Sequence, residues 1–330
     1  MTAGTHMASE IAEAPEAFRR AALLEPGPAP APWRAAYTIA RGSSDAAAAI
    51  LAYEFMRESG RPATSLPPSV FSLGEGVALG DSLVLVISQS GASDDLVRSA
   101  RGARAQGGLV IAITNVPGSP VEHEAQTCLP IGAGPEKAVP ATKTVVGAVG
   151  AGTALLGALV PDYASRARAS ADVVASAGRR PHPRATELRD ALTKAQGVYV
   201  VGRDTGFGAA QEIALKLKEC CALHAEAYSA SEVLHGPLQL VAEEDLIVLL
   251  LDTGHPETRE SLDVAQARFR DHGAEVLRVS PADVGAGDLT PAAAAALLLC
   301  LLYPVVRETA LARGHDPDAP KALSKVTRTT

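Results

Sequence analysis

The run AYTIARGSSDAAAAILAYEFM, opening at Ala36, has a counterpart in VYVVGRDTGFGAAQEIALKLKE, opening at Val198. Each passes from β-branched and aromatic residues through a glycine turn into a long helical pattern. The next runs also match: SLVLVISQSGASDDLVRSARGARAQGG and DLIVLLLDTGHPETRESLDVAQARFRDHG. Each starts as a continuous apolar stretch, the pattern of a strand buried on both faces. Third strands follow in GGLVIAITNVPGS and GAEVLRVSPAD. Gly42 pairs with Gly202 to within one position, and Ser90-Gly91 with Thr253-Gly254, so the copies lie on the order of 160 residues apart. That period is too long for a solenoid. It implies two copies of one α/β domain, each a mainly parallel, doubly wound sheet with flanking helices.

The copies are bounded by ASAGRRPHPRA (175–185), whose glycine, arginines and prolines read as a linker. The boundaries follow: 1–31, a helix (ASEIAEAPEAFRRAAL) and a Pro-rich segment; 32–175, the first domain; 183–304, the second; 305–330, a polar tail. A single helical stretch is expected from Lys143 to Ala175. PAAAAALLLCLLYPVV (291–306) is short of a membrane span and meets a proline, so it reads as a buried helix. Hydrophobic residues make up 47% of the 330, enough for large cores, and the net charge of -7 comes with no basic run. Nucleic acid and membrane are therefore not expected partners. Nor does the start show a signal-peptide pattern. The four cysteines show no CxxC spacing, which fits reduced thiols in a cytoplasmic protein, with Cys220 and Cys221 as core residues.

Two serine-rich turns carry the first chemical signal. SQSGAS follows a strand and precedes a helix, and ARGSSD does the same one strand earlier. Such turns offer hydroxyls and free amides at a helix N-terminus, a natural seat for an anion. One such loop alone reads as helix capping. Two, at the carboxyl ends of neighbouring strands, face one crevice and point to phosphate. No P-loop lysine is present, which argues against nucleotide hydrolysis. GRDTGFG and LDTGHPE in the second copy are poorer in hydroxyls and carry acids, so one phosphate-binding copy is expected.

The second signal is LKLKECCALHAEAYSASEVLHGP (215–237), which reads as a buried helix and a turn. Lys216 and Glu219 share a helix face, with Glu212 one turn earlier. Taken alone the pair is a surface ion pair. His224 reads as a structural or core histidine. His235 lies in a turn and suits proton transfer near neutral pH.

SQSGAS, with NVPGS one strand later, resembles the sugar isomerase (SIS) domain, and the tandem arrangement resembles the isomerase half of the glucosamine-6-phosphate synthases. The likeness spans nearly the whole chain, through EIAEAP, AVPATKT, ALKLKE, HAEAYSASEVLHGP and DAPKALSKVT. It implies two flavodoxin-like domains. It also implies a base at Glu219, its helper at Lys216, a Schiff-base lysine at Lys325, and a ring-opening His235 given across a homodimer. Sugar-phosphate contacts fall on Ser43, Ser44, Ser88, Gln89, Ser90 and Ser93, with backbone contacts from Val139 and Ala141. No cofactor or metal is implied. Arg41 stands where the synthases carry cysteine, Ala92 replaces an acid, and Pro140 replaces a small residue.

The likeness does not extend to the synthases' glutaminase domain, since residue 2 is Thr and the first cysteine is Cys128. The expected reaction is therefore release of ammonia: glucosamine 6-phosphate and water to fructose 6-phosphate. Alternatives are a galactosamine-type substrate, a fructosamine-phosphate deglycase, or a non-enzymatic sugar-phosphate sensor. Sensors of this type pair one copy with a DNA-binding helix-turn-helix, and no such segment is evident.

Overall fold

The computed structural model describes residues 2–27, 32–243 and 246–325. Part of the Pro-rich segment and residues 326–330 lie outside them. Helix α1 (Thr5–Ala22) precedes the first sheet. That half continues through β1 (Ala35–Ile39), α2 (Ser43–Ser59), β2 (Ala63–Ser65), α3 (Ser69–Ser72), β3 (Ser82–Ser88), α4 (Asp94–Ala105) and β4 (Leu109–Thr114). It ends with α5 (Pro120–Glu124), β5 (Thr127–Pro130), α6 (Lys143–Leu159) and α7 (Pro161–Ala177). The second half holds α8 (Ala185–Lys194), β6 (Gly197–Gly202), α9 (Thr205–Cys221), β7 (His224–Ser229), α10 (Leu238–Glu243), β8 (Leu246–Leu251), α11 (Pro256–Asp271), β9 (Glu275–Val279) and α12 (Pro291–Ala312).

The sheets run β2-β1-β3-β4-β5 and β7-β6-β8-β9. Every strand pair is parallel. The shared 2-1-3-4 order is the flavodoxin-like pattern, with its crevice between the first and third strands. β3, β6 and β8 are buried at every position, as their unbroken apolar runs require.

The repeat register differs from the sequence alignment. Gly42 matches Asp204, not Gly202. Gly42 has φ 54°, ψ −129°, and Asp204 has φ 57°, ψ −132°. The helices that follow, α2 and α9, are both 17 residues long. Only glycine adopts this backbone freely, so Asp204 is strained by about 1–3 kcal/mol. Its Oδ1 takes the Thr205 N–H at 2.7 Å, which repays part of that strain. The match escaped the sequence because the equivalent residues are not the same type.

α2 and α9 pack against each other and join the halves. Gly208 permits this: a Cβ there would lie 2.6 Å from Ile50 Cγ1 and 2.8 Å from the Ile50 nitrogen. The expected single helix from Lys143 is two, because Pro161 starts α7 afresh and α7 runs on to Ala177. The expected tail start at 305 also moves. α12 continues through Pro304 to Ala312. Pro304 is exposed, so the missing N–H costs least there. α12 is long and apolar enough to span a membrane, yet it packs against α9, α8 and α1.

Glu54 of α2 is fully buried where α7 and α12 meet. It accepts from the Tyr163 hydroxyl at 2.7 Å and from the Ala292 N–H at 3.1 Å. Burial, with Glu58 and Asp204 nearby, raises its pKa from 4.5 to about 7. The folded state therefore holds a proton that the unfolded chain releases. This group's stabilisation is whole below about pH 4.5 and is lost as pH rises through about 7. Glu54→Gln mimics the protonated form: its amide donates to Tyr163, whose own proton turns to Thr290, while its oxygen keeps Ala292. The drop in Tm between pH 5 and pH 7.5 should shrink by roughly 2–4 °C in this variant. An unchanged slope would place the pH dependence elsewhere.

Candidate functional site

A cavity of about 310 Å³ opens at the carboxyl ends of β1 and β3. Ser43, Ser44, Ser88, Gln89, Ser90 and Ser93 line it from the two serine turns, and Val139 and Ala141 line it from the segment before α6. α9 contributes Glu219, and the tail contributes Leu323, Ser324 and Lys325. Arg41 and Leu96 complete the wall. The volume suits one small polar ligand.

The serines are not spent as caps. The N-cap of α2 is Gly42, and Ser93, the N-cap of α4, makes no side-chain cap bond. Of the first-turn amides of α4, that of Leu96 is taken by Asp95 Oδ1, and those of Asp94 and Asp95 keep their anion-binding capacity. The SQSG turn is held from within: Ser88 Oγ accepts from the Gly91 N–H at 3.0 Å and Ser90 Oγ from the Ala92 N–H at 3.3 Å. Gly91 has φ 60°, and a Cβ there would lie 2.2 Å from Ser119 Oγ. The turn admits only glycine at that point.

Behind Glu219 lies a buried charge relay. Lys216 has no exposed side-chain surface, so the pair is not the surface ion pair its spacing alone suggests. Its Nζ donates to Glu219 and, at 2.9 Å, to Ser43 Oγ of the other half. Glu212 Oε1 lies 3.6 Å from Nζ and accepts from Tyr303 Oη at 3.0 Å. Glu212 Oε2 has no hydrogen-bond partner among the described residues. Burial raises the Glu212 pKa to about 7, against the pull of Lys216 and with a push from Glu219. Burial also works against the Lys216 cation, but Glu212 and Glu219 outweigh it and hold its pKa above the usual value. Glu219 is thus a partly open carboxylate whose inner oxygen is fixed by a cation, leaving its outer side to the cavity.

Lys325 Nζ donates to the Ala138 carbonyl at 2.7 Å and lies 3.3 Å from Glu136 Oε2. Glu136 in turn accepts from Thr142 and Thr144. The tail is tied down upstream: Asp318 accepts from the His6 and Met7 amides at the start of α1, and its carbonyl from Val139. The structure so brings the expected residues to the walls of one cleft, except Lys216, which lies buried behind Glu219, and His235. His235 is exposed, follows a 3-10 turn, and is not among the lining residues. His224 is not a core residue. It opens β7 with its side chain 76% exposed, paired with Glu226 at 3.1 Å. That strand was hidden because HAEAYS carries charge on an edge, where burial imposes no apolar pattern.

The second copy closes the equivalent corner. Counting from the helix starts, Glu54 and Arg57 of α2 stand where α9 has Lys216 and Glu219. The charges are inverted. Arg57 reaches across to Asp204, the N-cap of α9, and to Glu257 in the first turn of α11. α11 is the counterpart of α4, so an ion pair sits where the first copy presents its serine turn.

Sequence reasoning underrated Asp95, Glu136 and Arg41. Asp95 is a buried acid in an otherwise ordinary helix start, and Glu136 orders the AVPATK segment through three contacts. The signal of Asp95 and Glu136 was an acid adjoining a motif that has no use for one; that of Arg41 was its departure from the synthases' cysteine.

The SIS domain profile matches residues 31–158 and 191–296. The chain is 32% identical, over 97% of its length, to the isomerizing glutamine–fructose-6-phosphate aminotransferase of Pyrobaculum aerophilum, covering 56% of that protein. It is 33% identical over 81% of its length to that of Aeropyrum pernix, covering 46%. The chain thus spans about half the length of the curated relatives it matches. A crystal structure of a candidate phosphosugar isomerase from Silicibacter pomeroyi superposes with TM-score 0.81 and 34% identity, covering 95% of this chain and 100% of that one. The glucosamine-6-phosphate deaminase of Thermotoga maritima shares the fold, with TM-score 0.78 and 19% identity over 98% and 100%. With two matched segments, two like-ordered parallel sheets and a serine-lined crevice, the chain belongs to the SIS domain family, as a tandem pair.

Proposed function

We propose that the chain is a phosphosugar isomerase-type enzyme that deaminates glucosamine 6-phosphate to fructose 6-phosphate and ammonia. One observation carries the reading: the Glu219 carboxylate, backed by Lys216, opens into the cavity that the two serine turns line. Phosphate on the serine turns and the α4 N-terminus fixes one end of the sugar. Glu219 takes the C2 proton of the open-chain amino sugar and returns it to C1, giving the C2 imine. Water adds to that imine, the C–N bond breaks, and ammonia leaves with fructose 6-phosphate. Lys325 closes the cleft from the tail. His235 lies outside the cleft of its own chain, so ring opening draws on the His235 of a second copy in a homodimer. The names of the Pyrobaculum and Thermotoga proteins support sugar-phosphate chemistry of this class.

The test is a stoichiometric assay of purified protein with glucosamine 6-phosphate. Ammonia and fructose 6-phosphate should appear in equal amounts. Absence of both would overturn the deaminase and turn attention to galactosamine-type phosphates and amino-acid adducts.

A further inference from the structure

We propose that Arg41 is the cationic member of the phosphate seat, binding the phosphate monoester together with the serine turns. The inference rests on the sugar-phosphate reading of the cleft. Arg41 lies two residues beyond the end of β1 and lines the cavity beside Ser43 and Ser44. Its Nε donates to Asp95 Oδ2 at 2.8 Å, and the Asp95 side chain has no exposed surface. The other Asp95 oxygen takes the Leu96 N–H at 2.9 Å. Asp95 is the second residue of α4, so this contact holds the guanidinium beside the start of that helix. The inner edge of the guanidinium is committed. Nη1 and Nη2 make no hydrogen bond among the described residues, Asp45 lies close enough to feel the cation without a hydrogen bond to it, and the Arg41 side chain is 49% exposed.

The other cations of the site are already engaged. Lys216 is held by Ser43, Glu212 and Glu219, and Lys325 by Glu136 and the Ala138 carbonyl. Arg203, the equivalent of Arg41 in the second copy, donates Nη1 to Ser229 and Ser231, and its corner is the one closed by Arg57. Arg41 therefore differs from its twin in keeping both terminal nitrogens uncommitted to hydrogen bonds, where Arg203 spends Nη1 on two serines. A planar fork anchored by one edge matches a phosphate's paired oxygens and loses little freedom on binding.

The experiment measures binding rather than turnover. Inorganic phosphate and fructose 6-phosphate are titrated calorimetrically into wild type, Arg41→Gln and the double variant Arg41→Gln, Asp95→Asn. The double variant leaves no unpaired buried carboxylate, so folding is controlled. Both variants should bind both ligands about 10- to 100-fold more weakly, the loss of charge-assisted bonds. Arg41→Lys, which keeps the charge without the fork, should fall between. Wild-type affinity for fructose 6-phosphate in both variants would overturn the role of Arg41 and leave the reading of the cleft intact. No binding of either ligand by wild type would overturn both.

Discussion

Glu219→Gln is expected to lower turnover of glucosamine 6-phosphate by about 10²- to 10⁴-fold, the usual loss with a general base. Fructose 6-phosphate should still bind within a few-fold of wild type. The reason is the division of the site: the serine turns come from the first half and the carboxylate from the second. The amide cannot carry the proton between carbons, so solvent deuterium should no longer enter C1 of the product. Retained exchange in the variant would remove Glu219 from the chemistry. The same variant tests the donated histidine. Mixed and re-equilibrated in equal amounts with His235→Asn, it should recover about a quarter of wild-type activity, because half the dimers pair one intact site with one doubly damaged one. No recovery would place His235 in its own chain's chemistry or outside it.

Lys216→Met is expected to damage stability as well as activity. The side chain has no exposed surface, and its ammonium is the only cation paired with Glu212 among the described residues. Removing one partner of a buried pair costs about 3–5 kcal/mol, because an uncompensated charge remains. Tm should fall on the order of 5–10 °C. Glu212, already displaced to about 7, should then protonate at neutral pH. Adding Glu212→Gln should restore most of the Tm while activity stays low, since Glu219 would still lack its anchor. A stability loss that the second substitution leaves untouched would mean that packing of the lysine stem, not charge, is what matters.

The fold was legible because both repeats write buried parallel strands as unbroken apolar runs, as at Leu83–Ile87 and Leu246–Leu251. Edge strands β2 and β7 were not, because an edge needs no such run. The repeat register slipped where Asp204 adopts a glycine conformation, a backbone fact that residue type conceals. Pro304 looked like a helix end, and burial of α12 on its other faces overrode it. In the site, the serine turns were readable from hydroxyl density. The burial of Lys216 was not, since spacing fixes which residues share a face but not which face is inward. Arg41 stood out only as a departure from the synthases, because the carboxylate that orients it lies 54 positions away.

The inverted charges on α2 and α9 bear on how far apart an open crevice and a closed one stand in sequence. The two helices have equal length, and each reaches the start of the other. The side chains at two matched positions, the acids that answer them and the hydroxyls of the adjoining turns separate the two crevices. In one case the crossing leaves a carboxylate facing the cavity; in the other an arginine clasps the matching corner. After such a duplication, losing a second working site needs no new backbone. A handful of substitutions turns a spare catalytic corner into a clasp between the halves.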